Sequence, residues 1–399
     1  MKYFLHTIGS SGDIYPFIGL ADQLSRNNKD VSIITHEVFR EKIESRNIDF
    51  IPIDKPEDYT INLADFKTDP FISKLRARSF LFQNIHSHML ESILIFTRHI
   101  MLPAKNSFKI LKEVAGPEDV VISHFLGFGA RAAADINKFK TFIMVTAPYW
   151  LNFKRQSEFE MLLHPMLSEI RDECPVPEIK KIMSEWMYKN TEVFCLFPEW
   201  FNNRNNNKHE FRHTTFPTWP EETGFVMSKE LQAILKDKEH PLVIVNLYSN
   251  ESDASTIYKI ISEICKETKL RCVIITKKVK EYQHLTAENL IFVEFLPLQK
   301  ISRECSLLIH HGGIGTLATA MRSSVPSIGI PNTDEQSDNI TNAGILGVCR
   351  MLERGELTVE ILKTEILRLL AAEKSPNHEI SQRLLADSNN QIIKSMGLI

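Results

Sequence analysis

The sequence predicts an α/β fold with two Rossmann-like halves, each a parallel sheet with crossover helices. Three observations lead there. Short apolar runs alternate with segments whose apolar residues recur at helical spacing, first from Lys2 and again from Leu242; this alternation marks parallel sheets. Between the two series lies Phe201–Glu222, polar, rich in asparagine and carrying Pro217 and Pro220, which reads as a linker. A chain of 399 residues also exceeds what one hydrophobic core usually organises. The expected units are residues 1–215 and 223–378, with 379–399 returning as a helix to the first unit.

In order, Lys2–Thr7 reads as a buried strand, Gly9–Asp13 as a turn, and Ile14–Asn28 as a helix with Ile14, Phe17, Ile18, Ala21 and Leu24 on one face. Val31–Thr35 and Phe50–Ile53 are strands around a helix at Val38–Arg46. Ala64–Val114 breaks the rhythm as a long, apolar, helix-like insertion. Strands follow at Val120–Ser123, Lys140–Thr146 and Val193–Phe197, with a helix at Gly127–Asn137 and a helical insertion over Ser157–Lys189. The second series has strands Leu242–Leu247, Cys272–Thr276, Leu290–Phe295 and Leu307–His310, with helices Ala254–Glu267 and Leu298–Cys305. Amphipathic helices over Glu360–Ala372 and Asn377–Lys394 close the chain.

Composition narrows the function. Hydrophobic content of 43% and charged content of 24% are those of a soluble globular protein, and a net charge of −3 argues against a nucleic-acid binder. Six scattered cysteines without a C-x-x-C fit buried thiols in a reducing compartment. Gly9 and Asp13 arrive too early for a signal-peptide core, and no run of about 18 apolar residues predicts a membrane span. The expectation is a cytoplasmic enzyme.

The chemistry concentrates in Ile309–Asn339. A strand ends in His310-His311, then Gly312, Gly313, Gly315 and Thr316 turn the chain into a helix. Such a turn lets backbone approach a ligand, and the helix start offers unpaired N–H groups to a phosphate. A tight turn without a ligand is the bland alternative. No lysine follows the glycines, so this is no ATP-hydrolysing P-loop. After Pro331, Glu335-Gln336 is either an acidic helix start or a pair suited to sugar hydroxyls. Asp13, after Gly9-Ser10-Ser11-Gly12, is either an N-terminal helix cap or a general base facing a cleft. Gly127-x-Gly129-x-x-Ala132 matches a weak dinucleotide pattern, but no acid lies about 20 residues on, so it reads as close packing. His86 and His88 point to different faces of a helix and are discounted as metal ligands. No Asp-x-Asp is present.

These residues resemble the GT-B glycosyltransferases of family 1, the UDP-glycosyltransferase superfamily, in its bacterial antibiotic and sterol branch. One signature stands as His310-His311-Gly312-Gly313-Ile314-Gly315-Thr316, Ser324-Val325-Pro326, and Pro331 followed by Glu335-Gln336 and Asn339. The other stands as Gly9-Ser10-Ser11-Gly12-Asp13, Pro16, and Leu20-Ala21. The resemblance implies a UDP- or dTDP-sugar donor in the C-terminal domain and an acceptor in the N-terminal one. It places Gly12, Ser249, His311, Gly313, Gly315 and Thr316 at the donor diphosphate, and Phe295, Leu296 and Leu298 at the base. Glu335 and Gln336 fall on the sugar, and Asp13 with His311 on catalysis. The implied reaction inverts C1 and uses neither metal nor cofactor. The sequence departs from the family pattern at Tyr248, Leu298, Ser324 and Glu335. The apolar Phe71–Met101 stretch lines an acceptor pocket or packs as core; the first suggests a lipophilic acceptor and, more weakly, peripheral membrane contact. Two other readings predict different outcomes. A regulator would bind the sugar nucleotide without transfer, and an epimerase would need no acceptor.

Overall fold

A computed structural model describes residues 1–59, 100–151, 160, 163–164, 167–168, 170, 181–202, 210–219, 225–247, 254–372, 377–384 and 388–399. Most of the apolar Phe71–Met101 stretch, with His86 and His88, lies outside the described residues. So do parts of the second insertion and the Tyr248-Ser249 segment.

The first sheet has seven strands: β1 (Tyr3–His6), β2 (Val31–Thr35), β3 (Asp49–Pro52), β4 (Val120–His124), β5 (Lys140–Val145), β6 (Glu192–Cys195) and β7 (Arg212–His213). Their order is β3-β2-β1-β4-β5-β6-β7, and every pairing is parallel. The second sheet has six: β8 (Leu242–Asn246), β9 (Arg271–Ile275), β10 (Leu290–Val293), β11 (Leu307–His310), β12 (Ser327–Gly329) and β13 (Cys349–Met351), in the order β10-β9-β8-β11-β12-β13, again all parallel. Each order reverses once, between β1 and β4 and between β8 and β11. Ligands of open α/β sheets bind outside the strands' carboxyl ends at such points.

Apolar patterning explains the burial. All residues of β1, β2 and β4 are buried, as expected where helices cover both faces. On one face, α1 (Ser11–Arg26) packs Ile14, Phe17, Leu20 and Leu24 with Leu5 and Ile122. On the other, α2 (Phe128–Asn137) packs against the helix Leu102–Val114. That contact settles the weak dinucleotide pattern. A Cβ on Gly129 would lie 1.9 Å from the Ala104 carbonyl, and one on Gly127 would lie 2.0 Å from Ser123 Oγ. Both glycines serve close packing.

In the second unit the glycine turn leads into α3 (Ile314–Arg322), and α4 (Asp334–Ile345) follows β12. The core beneath α2 continues through Phe201 and Phe216 to Leu317 and Met321 of α3 and Ile340 of α4. The chain then returns. Helix α5 (Asn377–Leu384) packs on α3, and α6 (Ser388–Ser395) inserts Ile392 and Ile393 into the α1 core. Asn389 and Thr218 exchange hydrogen bonds of 2.6 and 2.9 Å. This contact presses on Gly19, whose Cβ would sit 2.0 Å from Thr218 O.

Three expectations are corrected. The segment read as linker contains β7, two residues long. The third strand of the second unit ends at Val293, short of Phe295. The predicted helix Leu298–Cys305 is one α turn, Leu298–Ile301, and a 3₁₀ turn, Ser302–Glu304. Ser324, standing where the resemblance expects glycine, adopts φ +56°. That left-handed conformation costs a residue with a Cβ about 1 kcal/mol or more. The Ser324 Oγ bond of 2.8 Å to Ser381 Oγ on α5 offsets part of it.

Candidate active site

Asp13 sits in the first turn of α1, just beyond the carboxyl end of β1. Ser10 caps the helix, and its N–H and hydroxyl both donate to Asp13 Oδ2, at 2.9 and 3.1 Å. The cap and the functional reading of Asp13 are therefore the same geometry. Gly9 is the glycine the turn requires: its φ is +115°, and a Cβ would lie 2.5 Å from Asp13 Oδ2. Gly12 has no such constraint, for a Cβ there would meet only Ser10 Oγ at 3.6 Å. Across the switch point, at the end of β4, His124 Nε2 lies 3.4 Å from Asp13 Oδ1. Burial pushes the Asp13 carboxyl up, but His124 and the Ser10 donors outweigh it and hold the group below its ordinary value.

Behind this turn is a relay that sequence reading missed. Asp54 accepts from His36 Nδ1 at 2.5 Å, and His36 Nε2 accepts from the Gly9 N–H at 3.0 Å. Below it His6 contacts Ser123 Oγ and Ser107 Oγ at 3.1 and 2.7 Å.

The glycine turn after β11 sits at the other switch point, between β8 and β11. His311 Nδ1 lies 3.1 Å from the Asn246 carbonyl. A carbonyl only accepts, so Nδ1 carries a proton and Nε2 is the ring atom toward the turn, where a Cβ on Gly313 would meet it at 2.5 Å. Burial lowers the His311 pKa, and the charge of Arg354 lowers it further, against the Asn246 bond. A neutral His311 thus presents an acceptor, and donation to an anion requires a second proton on the ring. Gly313 precedes α3, whose first turn points the N–H groups of Ile314 and Gly315 outward. Thr316 Oγ1 accepts from Asn246 Nδ2 at 3.4 Å. His310 is internal: its Nδ1 accepts from the Gly312 N–H at 3.0 Å. Asn339 donates to Gly312 O at 3.2 Å and ties the turn to α4. Over the turn lies Trp219, 3.2 Å from where a Gly315 Cβ would be and 6.1 Å, ring to ring, from Tyr15 of α1.

Glu335 joins the halves. Burial and the Asp13 charge push its pKa up to about 7, while hydrogen bonds with Trp150 and Asn339 pull the other way. A carboxyl of α4 therefore lies in the field of the Asp13 carboxylate, with opposite shifts. Gln336 is partly a cap: its Oε1 accepts from Asn332 N–H at 2.8 Å, and its own N–H goes to Thr333 Oγ1 at 3.3 Å. Its amide NH₂ is the end left for a ligand.

The three residues expected at the nucleotide base, Phe295, Leu296 and Leu298, part ways. Phe295 is 39% exposed and packs edge-on against Phe225 at 5.7 Å. Leu296 is 3% exposed, its side chain committed to the core with Ile301 and Leu308, so only its backbone is available to a ligand. Leu298 is partly buried against the same core. Ser249 lies outside the described residues. Among the described residues no three His, Cys, Asp or Glu side chains are placed to hold a metal ion, and no helix is long and apolar enough to cross a membrane. The five described cysteines are buried and free.

Buried histidines make stability pH-dependent. Burial lowers the pKa of His6 and of His310 from 6.5 to about 3. Between those values only the unfolded chain takes up the proton, so stability falls as pH drops below 6.5. Glu335 opposes this, because between 4.5 and about 7 the folded state holds the extra proton. These two histidines, with His311 and His213 lowered as well, outweigh the one raised carboxyl, so the unfolded chain takes up more protons and stability is lost from about pH 6.5 to 4.5. Urea midpoints at pH 6.5 and 5 check this; a level or rising midpoint contradicts it.

Comparisons with known proteins agree with the geometry. A model of the glycosyltransferase family 28 N-terminal domain matches residues 3–107, and one of the erythromycin biosynthesis protein CIII-like C-terminal domain matches residues 264–392. The sterol 3-beta-glucosyltransferase of Saccharomyces cerevisiae (strain YJM789) is 23% identical over 367 residues, 82% of this chain and 29% of its own length. The aklavinone 7-beta-L-rhodosaminyltransferase of Streptomyces galilaeus is 33% identical over 100 residues, 25% of this chain and 23% of its own length. The chain thus covers under a third of either relative. Among solved structures, the glycosyltransferase of kitacinnamycin superposes with a TM-score of 0.74 at 14% identity, over 100% of this chain and 97% of its own. The glycosyltransferase VinC in complex with dTDP gives 0.70 at 16% identity, over 100% and 99%. At those identities the likeness is one of fold.

Proposed function

We propose that this chain, with the fold of the GT-B glycosyltransferases and matches to two glycosyltransferase domain models, moves a hexose from a UDP- or dTDP-sugar to a hydroxyl of a small lipophilic acceptor, with inversion at C1. The observation that carries this reading is the pairing of two switch-point sites, with Glu335 of one in the field of Asp13 of the other. The donor diphosphate lies at the N-terminus of α3, against the N–H groups of Ile314 and Gly315, Thr316 Oγ1 and His311. Phe295 offers the base an aromatic face. Glu335 and the Gln336 amide read the sugar hydroxyls. As the acceptor oxygen attacks C1, its proton passes to Asp13, the bond from C1 to the phosphate oxygen breaks, and the electron pair leaves on the diphosphate. The hydroxyl acidifies as its bond to C1 forms, so a carboxylate with a lowered pKa suffices late in the step. This reading assigns neutralisation of the leaving group to the helix end and side chains, and needs neither metal nor cofactor.

Two features support a lipophilic acceptor. Trp150 packs at a tilt against Phe125, with centroids 4.7 Å apart, and contacts Glu335, so an aromatic surface borders the proposed sugar position. The relatives matched are named for sterol and aklavinone acceptors.

Nucleoside diphosphates test the donor half directly. UDP or dTDP at about 100 times its Kd should stabilise the fold by about 2.7 kcal/mol, read as a rise in melting temperature. His311→Ala should remove most of that rise, and the loss should be larger at pH 6 than at pH 8, because only the protonated ring donates. A wild-type protein unmoved by any nucleoside diphosphate overturns the reading. Mass spectrometry of a sterol or polyketide incubated with the matching sugar nucleotide tests transfer; binding without any product favours the regulator.

A further inference from the structure

We propose that His124 is a positioning residue for the transfer reaction, fixing Oδ1 of Asp13 as the oxygen that receives the acceptor's proton. The inference rests on reading Asp13 as the base. The two carboxylate oxygens are not equivalent. Oδ2 accepts from the Ser10 N–H and hydroxyl and abuts the Gly9 backbone, so its lone pairs are engaged. Oδ1 faces His124 Nε2 at 3.4 Å. The tautomer of His124 follows from its other nitrogen: Nδ1 accepts from the Leu126 N–H at 3.3 Å, so in the neutral ring the proton sits on Nε2, toward Asp13. The ring is 1% exposed and held against Phe125 and Phe17, with centroids 4.4 and 6.1 Å away. His124 Nε2, buried without a hydrogen bond of its own, lies 3.4 Å from Oδ1, near enough to set the direction of that oxygen while leaving it a lone pair for the acceptor hydroxyl.

The pair is built by the sheet. His124 ends β4 and Asp13 follows β1, adjacent strands whose last paired residues are His6 and Ser123. Rigid elements place functional groups more accurately than loops do. The titratable groups around the pair are few. Asp13 faces His124 from β4 and Glu335 from α4; His124 faces Asp13 and, from β1, His6. In the step, the acceptor proton moves to Oδ1 while His124 keeps its own on Nε2. Its contribution is direction and support of the carboxylate before transfer.

His124→Phe keeps a ring in the aromatic slot and removes the donor. It should lower kcat by about 10–100-fold and move the acid limb of kcat/KM to higher pH, with the melting-temperature rise from UDP or dTDP unchanged. His124→Gln, which keeps an N–H donor, should recover part of kcat and carries the test if the Phe variant does not fold. In an Asp13→Asn background, His124→Phe should change the residual rate by less than about twofold. An unmoved acid limb, or the full loss repeated in that background, overturns the proposal. Failure of the underlying reading looks different: Asp13→Asn would then itself retain turnover.

Discussion

Asp13→Asn is expected to lose nearly all transfer, with kcat falling by about 10²–10⁴-fold, while donor binding stays close to wild type. The substitution is nearly isosteric. The amide oxygen can still accept from Ser10, so the cap at the start of α1 survives and the fold is little disturbed. What disappears is an oxygen that can take a proton. The donor half is untouched, because His311, Thr316 and the α3 N-terminus lie on the other unit. Steady-state kinetics separate these effects: a lower kcat at unchanged donor KM places the loss in the chemical step. The reverse pattern, intact kcat with raised donor KM, would remove Asp13 from proton transfer. The pH profile is informative too. The Asp13 pKa is lowered, so the wild-type acid limb should lie at low pH, and the variant should show none. Glu335, at about 7, is the other carboxyl in the cleft. A residual rate in Asp13→Asn that rises along a limb below about 7, where Glu335 titrates once the Asp13 charge is removed, would identify Glu335 as its source.

Much of this cleft was legible before any coordinates. A parallel sheet writes its strands as continuous apolar runs, so β2, β8 and β11 stand out plainly, and glycines at a strand-to-helix junction announce a close approach. Strand order is not written that way. Asp13 and His124 come together because β1 pairs with β4 across a gap of more than 100 residues, and no periodicity encodes that pairing. The same holds for Asn246 beside His311, brought together by β8 and β11. Each missed residue nonetheless carries one signal, a polar residue at the carboxyl end of a strand beside a sheet reversal. His36 is a weaker case, found only through its bonds to Gly9 and Asp54. Other errors have local causes. Phe295 and Leu296 are chain neighbours, yet one is 39% exposed and the other 3%, so only Phe295 can present its side chain to a ligand. Gly9 and Gly12 look alike in sequence, and only the backbone angle tells which is obligatory. Strands as short as β7 and β13 have no pattern to detect.

Arg322→Met is expected to destabilise the protein by about 2–4 kcal/mol and to weaken donor use without touching the site. Arg322 ends α3, the helix whose start is proposed above to hold the diphosphate. Burial lowers its pKa to about 10, and the partners that hold it are dipoles. It donates to the carbonyls of Phe216, Pro217 and Leu384 and to Ser388 Oγ, the last at 2.8 Å. Those four acceptors belong to three segments: the connection between the units, the end of α5 and the start of α6. One guanidinium fork thus fastens the donor helix to the chain leaving the first unit and to the chain returning to it. Methionine fills the volume but leaves the carbonyls of Phe216 and Leu384 short of a donor in a buried place. Lysine is no substitute, since one ammonium cannot span a planar fork's partners. The connection also carries Thr218, bonded to Asn389, and Trp219, laid over Gly315. Loosening it should therefore raise donor KM through the placement of Trp219 and the registration of the two units. Urea unfolding and donor kinetics on Arg322→Met and Arg322→Lys check both parts. If Arg322→Lys matches wild type in stability and in KM, the fork is not what fastens the units.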